Sequence, residues 1–257
     1  YINNHIRITQ QSNMISNLSI NQLNVSDLKN SLRLIALRPG SMINTSLDLI
    51  DNGVLNNIAL INLNDKKSFR YGLYFSQAGF QNDGFKVSNT AGTLRGNSEL
   101  GYLELDSNDV GINYKKEPYY ISTVTGKLYY KYIQNKLMLS AKNIRFDDVH
   151  TAKLYGSLSS RQTNLKIDLS GKVVDILPKL ASSFEVGSMA DGTKINSEYN
   201  LDYRILKTND KTYKYGAISL LNLVAKNDTL DLTFNTEEIR VNFFDQYYQS
   251  YPSKVFL

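Results

Sequence analysis

The feature that most constrains this chain is a period-two alternation of apolar and polar residues, the mark of strands whose side chains point to opposite faces of a sheet. It runs through Val124, Gly126, Leu128, Tyr130 and Tyr132, then Leu137, Leu139 and Ala141. It resumes at Leu154, Gly156 and Leu158, and at Leu165, Ile167, Leu169, Gly171 and Val173. The polar connectors Gln134-Asn135, Asp147-Asp148 and Ser159 to Thr163 have hairpin length and composition, so consecutive strands are expected to pair antiparallel as a meander. Similar runs stand at Leu100 to Leu105, Tyr199 to Ile205, Tyr213 to Ala217 and Leu230 to Phe234. The expected fold is mostly β: a long antiparallel meander sheet curled into a groove or open barrel, with one or two short helices.

Helical patterning is confined to Ser26 to about Leu37, where Leu28, Leu32 and Ile35 share one face before Pro39-Gly40, and to a shorter stretch from Asp175 to Phe184. The four prolines, Pro39, Pro118, Pro178 and Pro252, are expected at strand ends or turns, because proline cannot donate to a ladder. A soft interruption at Gly187 to Thr193 divides a β segment over 1–186 from a continuing β segment over 187–257.

Several kinds of chemistry are excluded by residue type. With no cysteine there is no disulfide scaffold, thiolate metal site or cysteine nucleophile. The 29 basic residues are offset by 24 acidic ones and spread along the chain, whereas a nucleic-acid footprint clusters. No apolar run approaches the roughly 18 to 20 residues that span a bilayer as a helix. The chain begins at Tyr1, which reads as a processed or excised segment with its targeting signals outside it.

Of two histidines, His5 and His150, neither has a second ligand at metal-binding spacing. Gly126-Lys127 and Gly171-Lys172 lack the upstream glycine of a phosphate loop. Asp106, Asn108, Gly111 and Glu117 occupy four positions of a twelve-residue calcium loop, but Val110 stands where an oxygen ligand is needed, so a hairpin turn through Ser107-Asn108-Asp109 is the plainer reading. Asp147-Asp148 and Glu237-Glu238 read as connectors or edges, since adjacent strand residues face opposite sides. No catalytic residue, metal ligand or cofactor is expected.

Between about Leu37 and Phe184 the chain resembles the AsmA-like envelope proteins of Gram-negative bacteria, in particular the YhdP type with its DUF3971-like region. The phrases that carry the likeness are Leu37-Arg38-Pro39-Gly40-Ser41 before Leu47-Asp48-Leu49, then Phe69-Arg70-Tyr71-Gly72-Leu73 and Gly92-Thr93-Leu94-Arg95-Gly96. Further on stand Gly101 to Leu105, Val124 to Tyr130, and Leu165 to Gly171 ahead of Asp175-Ile176-Leu177-Pro178. Beyond Phe184 the likeness fades.

The resemblance implies a non-catalytic periplasmic segment of an inner-membrane-anchored protein, whose β-groove passes phospholipid toward the outer membrane. Its partners would be phospholipid acyl chains and the remaining segments of the parent chain, without nucleic acid. The groove candidates are Leu128, Tyr130, Leu137, Leu139, Leu154, Leu158, Leu165, Ile167 and Leu169. Two other readings stand beside it. A structural or adhesive β-sandwich would bury the same residues in a closed core. A sugar-binding or enzymatic β scaffold is suggested by the 18 tyrosines, whose rings can stack on sugars, but it needs a polar cleft with converging carboxylates.

Overall fold

The computed structural model describes residues 6–11, 14–27, 51–65, 67–82, 85–114, 117–159, 162–173, 193–208, 211–227, 231–244, 247–252 and 255–256. They form fifteen strands: β1 (Ile6–Gln11), β2 (Met14–Asn24), β3 (Val54–Ile61), β4 (Arg70–Asn82), β5 (Phe85–Asn97), β6 (Leu100–Tyr114), β7 (Glu117–Ile133), β8 (Lys136–Phe146), β9 (His150–Leu158), β10 (Thr163–Lys172), β11 (Thr193–Lys207), β12 (Thr212–Asn227), β13 (Leu232–Phe244), β14 (Tyr247–Pro252) and β15 (Val255–Phe256). Strand order follows the chain, as expected of a meander. Helix is limited to one turn at 25–27 among the described residues. Most of the first predicted helix and all of the second lie outside them.

The chain divides into two compact units, Tyr1–Leu137 with Ile144–Asp148, and Met138–Asn143 with Val149–Leu257. In the first, β1 through β7 pair antiparallel, each with its neighbour in sequence. In the second, β9 through β13 do the same, and β14 and β15 both pair with β13. Gln134 and Asn135 both have positive φ (49° and 62°), the backbone of a two-residue hairpin turn that matches the twist of its strands.

Alternation alone would not keep apolar side chains on one face of these strands, because the pattern changes phase within them. In β4 it runs Tyr71, Leu73, Phe75 and then Ala78, Phe80; in β6 it runs Leu103, Leu105, Ser107 and then Val110, Ile112; in β12 it runs Ile218, Leu220 and then Leu223, Ala225. Each change falls on a residue in the left-handed region: Gln77 (φ 51°), Asp109 (φ 53°) and Asn222 (φ 51°). Asn57 and Asn89 mark β3 and β5 in the same way, with φ of 50° and 60°. The pairing register shifts beside Asn57, Gln77, Asn89 and Asn222. These are β-bulges, which insert a residue and bend the strand. Asn and Asp suit them because their short polar side chains lower the steric penalty of this conformation. The hairpin turn expected at Ser107-Asn108-Asp109 is therefore corrected: β6 continues through it, with Asp109 as the inserted residue. Glu237 and Glu238, expected in a connector or at an edge, lie inside β13, between the stretches that pair with β14 and β15.

A bulge breaks the ladder and frees backbone groups that need partners. Buried hydroxyls supply them. Ser107, 1% exposed, accepts from the Ala91 N–H (2.8 Å) and donates to the Ala91 carbonyl (2.9 Å). Thr90 donates to the Ala78 carbonyl at 2.9 Å, and Ser197, 2% exposed, donates to the Leu221 carbonyl at 2.9 Å. Where β1 and β2 shift register, Ser16 donates to the Thr9 carbonyl at 3.0 Å. The apolar residues beside these hydroxyls, among them Phe75, Ala78, Val110, Val124, Tyr199 and Leu223, are the buried ones.

Ser107→Ala leaves the Ala91 N–H and carbonyl without their partner in a buried place, so urea denaturation should show a loss of about 1–3 kcal/mol. Thr125→Ala, on an exposed position of the neighbouring strand, should change stability by less than about 0.5 kcal/mol.

Candidate functional site

Because residues directly opposite across a strand pair share a face, the registers assign every row of each sheet. In the first unit one face carries Ile8, Leu18, Leu60, Tyr71, Gly96, Gly101 and Tyr130 in a single row across all seven strands. Beside it run Leu73, Leu94, Leu103 and Leu128, and then Leu23, Leu55, Phe75, Gly92, Leu105 and Gly126. The opposite face is polar, with the row Arg95, Tyr102, Tyr129 next to the row Thr93, Glu104, Lys127. Lys127 pairs with Glu104 at 3.0 Å and sits 5.2 Å from the centre of the Tyr102 ring.

The second unit repeats the arrangement. Leu154, Ile167, Tyr203, Gly216 and Phe243 form one apolar row over five strands. Ala152, Leu169, Leu201, Ile218 and Val241 form the next. Five strands at about 4.8 Å spacing make each row about 19 Å across.

Glycines on these faces are covered by side chains from neighbouring strands. A β-carbon at Gly92 would lie 2.8 Å from the Phe75 ring, and one at Gly216 would lie 2.8 Å from the Phe243 ring. Tyr203 completes the latter contact, its ring 5.9 Å from that of Phe243. A bare strand glycine weakens a sheet, and a cross-strand ring restores the lost contact.

Of the sequence-predicted residues, Leu128, Tyr130, Leu154, Leu158, Leu165, Ile167 and Leu169 fall on these faces, and they and Leu137 and Leu139 are all half-buried. Leu128 faces Leu103, and Ile167 sits between Leu154 and Tyr203. Leu165 lies between Gly156 and Ile205, and Leu169 between Ala152 and Leu201. Leu158 is at the margin, since its row continues through Thr163 to Lys207. Leu137 and Leu139 share one face of β8, the first in one unit and the second in the other. Leu73, Leu94, Leu103, Leu201, Tyr203, Ile218 and Phe243 belong to the same faces but were not among the groove candidates, although Leu103, Leu201 and Tyr203 lie in runs that the alternation marks. Following the phase of the alternation through the asparagine-marked bulges would have found them.

Tyrosine hydroxyls and a histidine interrupt the apolar faces among the described residues. The Tyr130 hydroxyl lies over Gly96 and Gly101 and is buried without a hydrogen-bond partner. Nearby, burial pushes the Tyr71 phenol up from its ordinary pKa. In the second unit the Tyr199 hydroxyl bonds His150 Nδ1 at 2.9 Å beside Gly171, and burial raises the Tyr199 pKa too. The pair gives His150 a structural partner that sequence spacing did not show. No group of three or more His, Cys, Asp or Glu side chains suited to a metal occurs among the described residues.

The polar face of the second unit holds a charged cluster. Lys166 pairs with Asp168 at 3.0 Å and with Asp202 at 3.4 Å, and Arg204 pairs with Asp202 at 3.3 Å. Partial burial works to raise the Asp202 pKa, but the hydrogen bonds from Arg204 and Lys166 with their charges outweigh it, and the carboxyl is held below its ordinary value. The Lys166 pKa is raised, chiefly by its hydrogen bond to Asp168.

Comparison with family models, with curated proteins and with solved structures finds no match for the chain.

Tyr130→Phe removes a buried hydroxyl that has no partner, so it should leave stability unchanged or raise it by up to about 1 kcal/mol in urea denaturation. The lowered Asp202 pKa contributes stability above the ordinary carboxylate value of 3.8, and that contribution is lost as pH falls through the lower folded value. Asp202→Asn should therefore flatten the loss of stability on acidification below about pH 4, and the difference from the native chain should shrink in 1 M salt, where exposed charges are screened within about 3 Å.

Proposed function

We propose that this chain is a non-catalytic periplasmic segment whose apolar sheet faces line a groove for phospholipid acyl chains passing between the inner and outer membranes. The observation that carries the reading is that many of the large apolar side chains on these faces, Leu128, Leu154, Ile167 and Leu169 among them, keep part of their surface open to solvent. A face closed into a sandwich core would hold Leu154, Ile167 and Leu169 at the burial of Val110 or Ala141, which are 2% and 0% exposed. These residues are instead left partly open to solvent. A contiguous apolar surface of this kind marks a place where something apolar binds.

Acyl chains suit such a face. Each methylene removed from water contributes about 0.8 kcal/mol, and the contact needs no particular side-chain chemistry. That matches rows built from Leu, Ile, Val, Phe and Gly with few polar groups. The likeness to AsmA-like proteins in residues 37–184 points the same way, and with it the expectation of an inner-membrane-anchored parent chain. No helix among the described residues is long and apolar enough to cross a membrane.

The test is photo-crosslinking with native mass spectrometry after incubation with phosphatidylethanolamine and phosphatidylglycerol vesicles. Photo-reactive residues at Leu139 and Ile167 should capture phospholipid, and one at Tyr155 on the opposite face should not. Ile167→Asp should cut the recovered lipid at least fivefold while circular dichroism shows the strands retained. A folded chain that crosslinks at neither apolar position would end the lipid reading and leave a structural β domain.

A further inference from the structure

The first unit's apolar face runs out to β1, the last strand on that side among the described residues. Ile6 and Ile8 continue the rows of Ile20 and Leu18, yet they are 60% and 55% exposed, and among the described residues β1 pairs with β2 alone. Exposed edge strands are usually blunted by lysine, proline or an inward-facing charge. The stretch Ile6-Arg7-Ile8-Thr9 has none of these on its apolar side.

The direction of its free backbone groups follows from the bulge beside it. The Thr9 carbonyl accepts from Ser16 of β2, so the Thr9 backbone faces β2. Backbone groups alternate sides along a strand, so Arg7 also faces β2, whereas the N–H and carbonyl of Ile6 and Ile8 face the open side. A strand added there antiparallel would exchange hydrogen bonds with Ile6 and Ile8. Its residue opposite Arg7 would sit in a non-hydrogen-bonded pair, the closer of the two kinds, with Cα atoms about 4.5 Å apart.

That geometry selects the partner. Arg7 is exposed, and neither its opposite neighbour Ser19 nor the diagonal Asn17 and Asn21 is acidic. Pairing with a second copy in the register that sets isoleucine against isoleucine would put Arg7 against Arg7 at that closest position, where like charges repel. We infer that β1 is a docking edge for a strand of a different sequence, antiparallel, with a carboxylate opposite Arg7 and β-branched apolar residues on either side of it. This strand addition extends the sheet by main-chain hydrogen bonds, with side chains setting specificity. It does not depend on the lipid reading.

The probe is the capped fluorescent peptide Ser-Thr-Val-Glu-Val-Thr-Ser, titrated into the whole chain and followed by anisotropy. It should bind. N-methylation of both valines, whose N–H groups would meet Ile6 and Ile8, should weaken binding at least tenfold, and N-methylation of the glutamate, whose N–H would point away, should change it by less than about twofold. Replacing the peptide's glutamate with lysine should weaken binding about fivefold, and Arg7→Glu should reverse that preference. Ile8→Pro should abolish binding with the fold intact, because the N–H it removes faces the open side. Failure of every peptide to bind, binding indifferent to which residues are methylated, a preference unchanged by Arg7→Glu, or dimerisation of the chain through β1 would each overturn the inference.

Discussion

Everything in this molecule depends on keeping one face of long strands apolar while the ladders between them are broken. β7 runs to 17 residues and β12 to 16. An inserted residue bends and twists a strand, but it also turns every later side chain to the other face unless the sequence shifts phase with it. Here the two shifts coincide. Gln77, Asp109 and Asn222 take the left-handed conformation at the residue where the apolar pattern skips a step. The hydroxyls of Thr90, Ser107 and Ser197 then satisfy carbonyls beside the interruptions, and Ser107 satisfies an N–H as well. The burial of these small polar side chains follows from that role: their bonds stand in for ladder bonds, and an apolar residue of the same size could not make them.

The second constraint is that, among the described residues, side chains on each face find their contacts across the strands of the sheet. Side chains lean on their cross-strand neighbours, as Phe75 does on Gly92 and Phe243 on Gly216 and Tyr203. Contacts of this kind leave part of Leu128, Leu154, Leu165 and Leu169 in water. On the polar faces, by contrast, charged side chains join in ion pairs: Lys127 with Glu104 across the strands, and Lys166 with Asp168 on its own strand and Asp202 on the diagonal. An apolar face and a face suited to solvent are thereby held back to back on the same strands. The two chemistries require nothing beyond the alternation itself.

Tyr130 and His150 show how polar groups enter the apolar side. His150 and Tyr199 satisfy one another beside Gly171. Tyr130 fills the space over the Gly96 and Gly101 pair with its ring and leaves its hydroxyl unbonded. Glycine is the common element, since each such place exists because a missing side chain makes room for a neighbour's.

Strand content, meander order and the apolar character of Leu128, Leu154, Leu165, Ile167 and Leu169 were legible in the sequence, because alternation and short polar connectors are local properties of a β-chain. The sequence also showed which chemistries its residue types exclude. What it did not show was continuity. Ser107-Asn108-Asp109 reads as a turn when composition is the guide, since the residues that favour turns also favour the left-handed step of a bulge. Glu237-Glu238 read as a connector or edge because two adjacent charges cannot share one face, yet β13 runs through them. The pairing of His150 with Tyr199, 49 positions apart, depends on the register of β9, β10 and β11, which no local pattern specifies. The half-exposure of the apolar face was likewise decided by tertiary structure, because alternation states which side of a strand is apolar and is silent on what covers it.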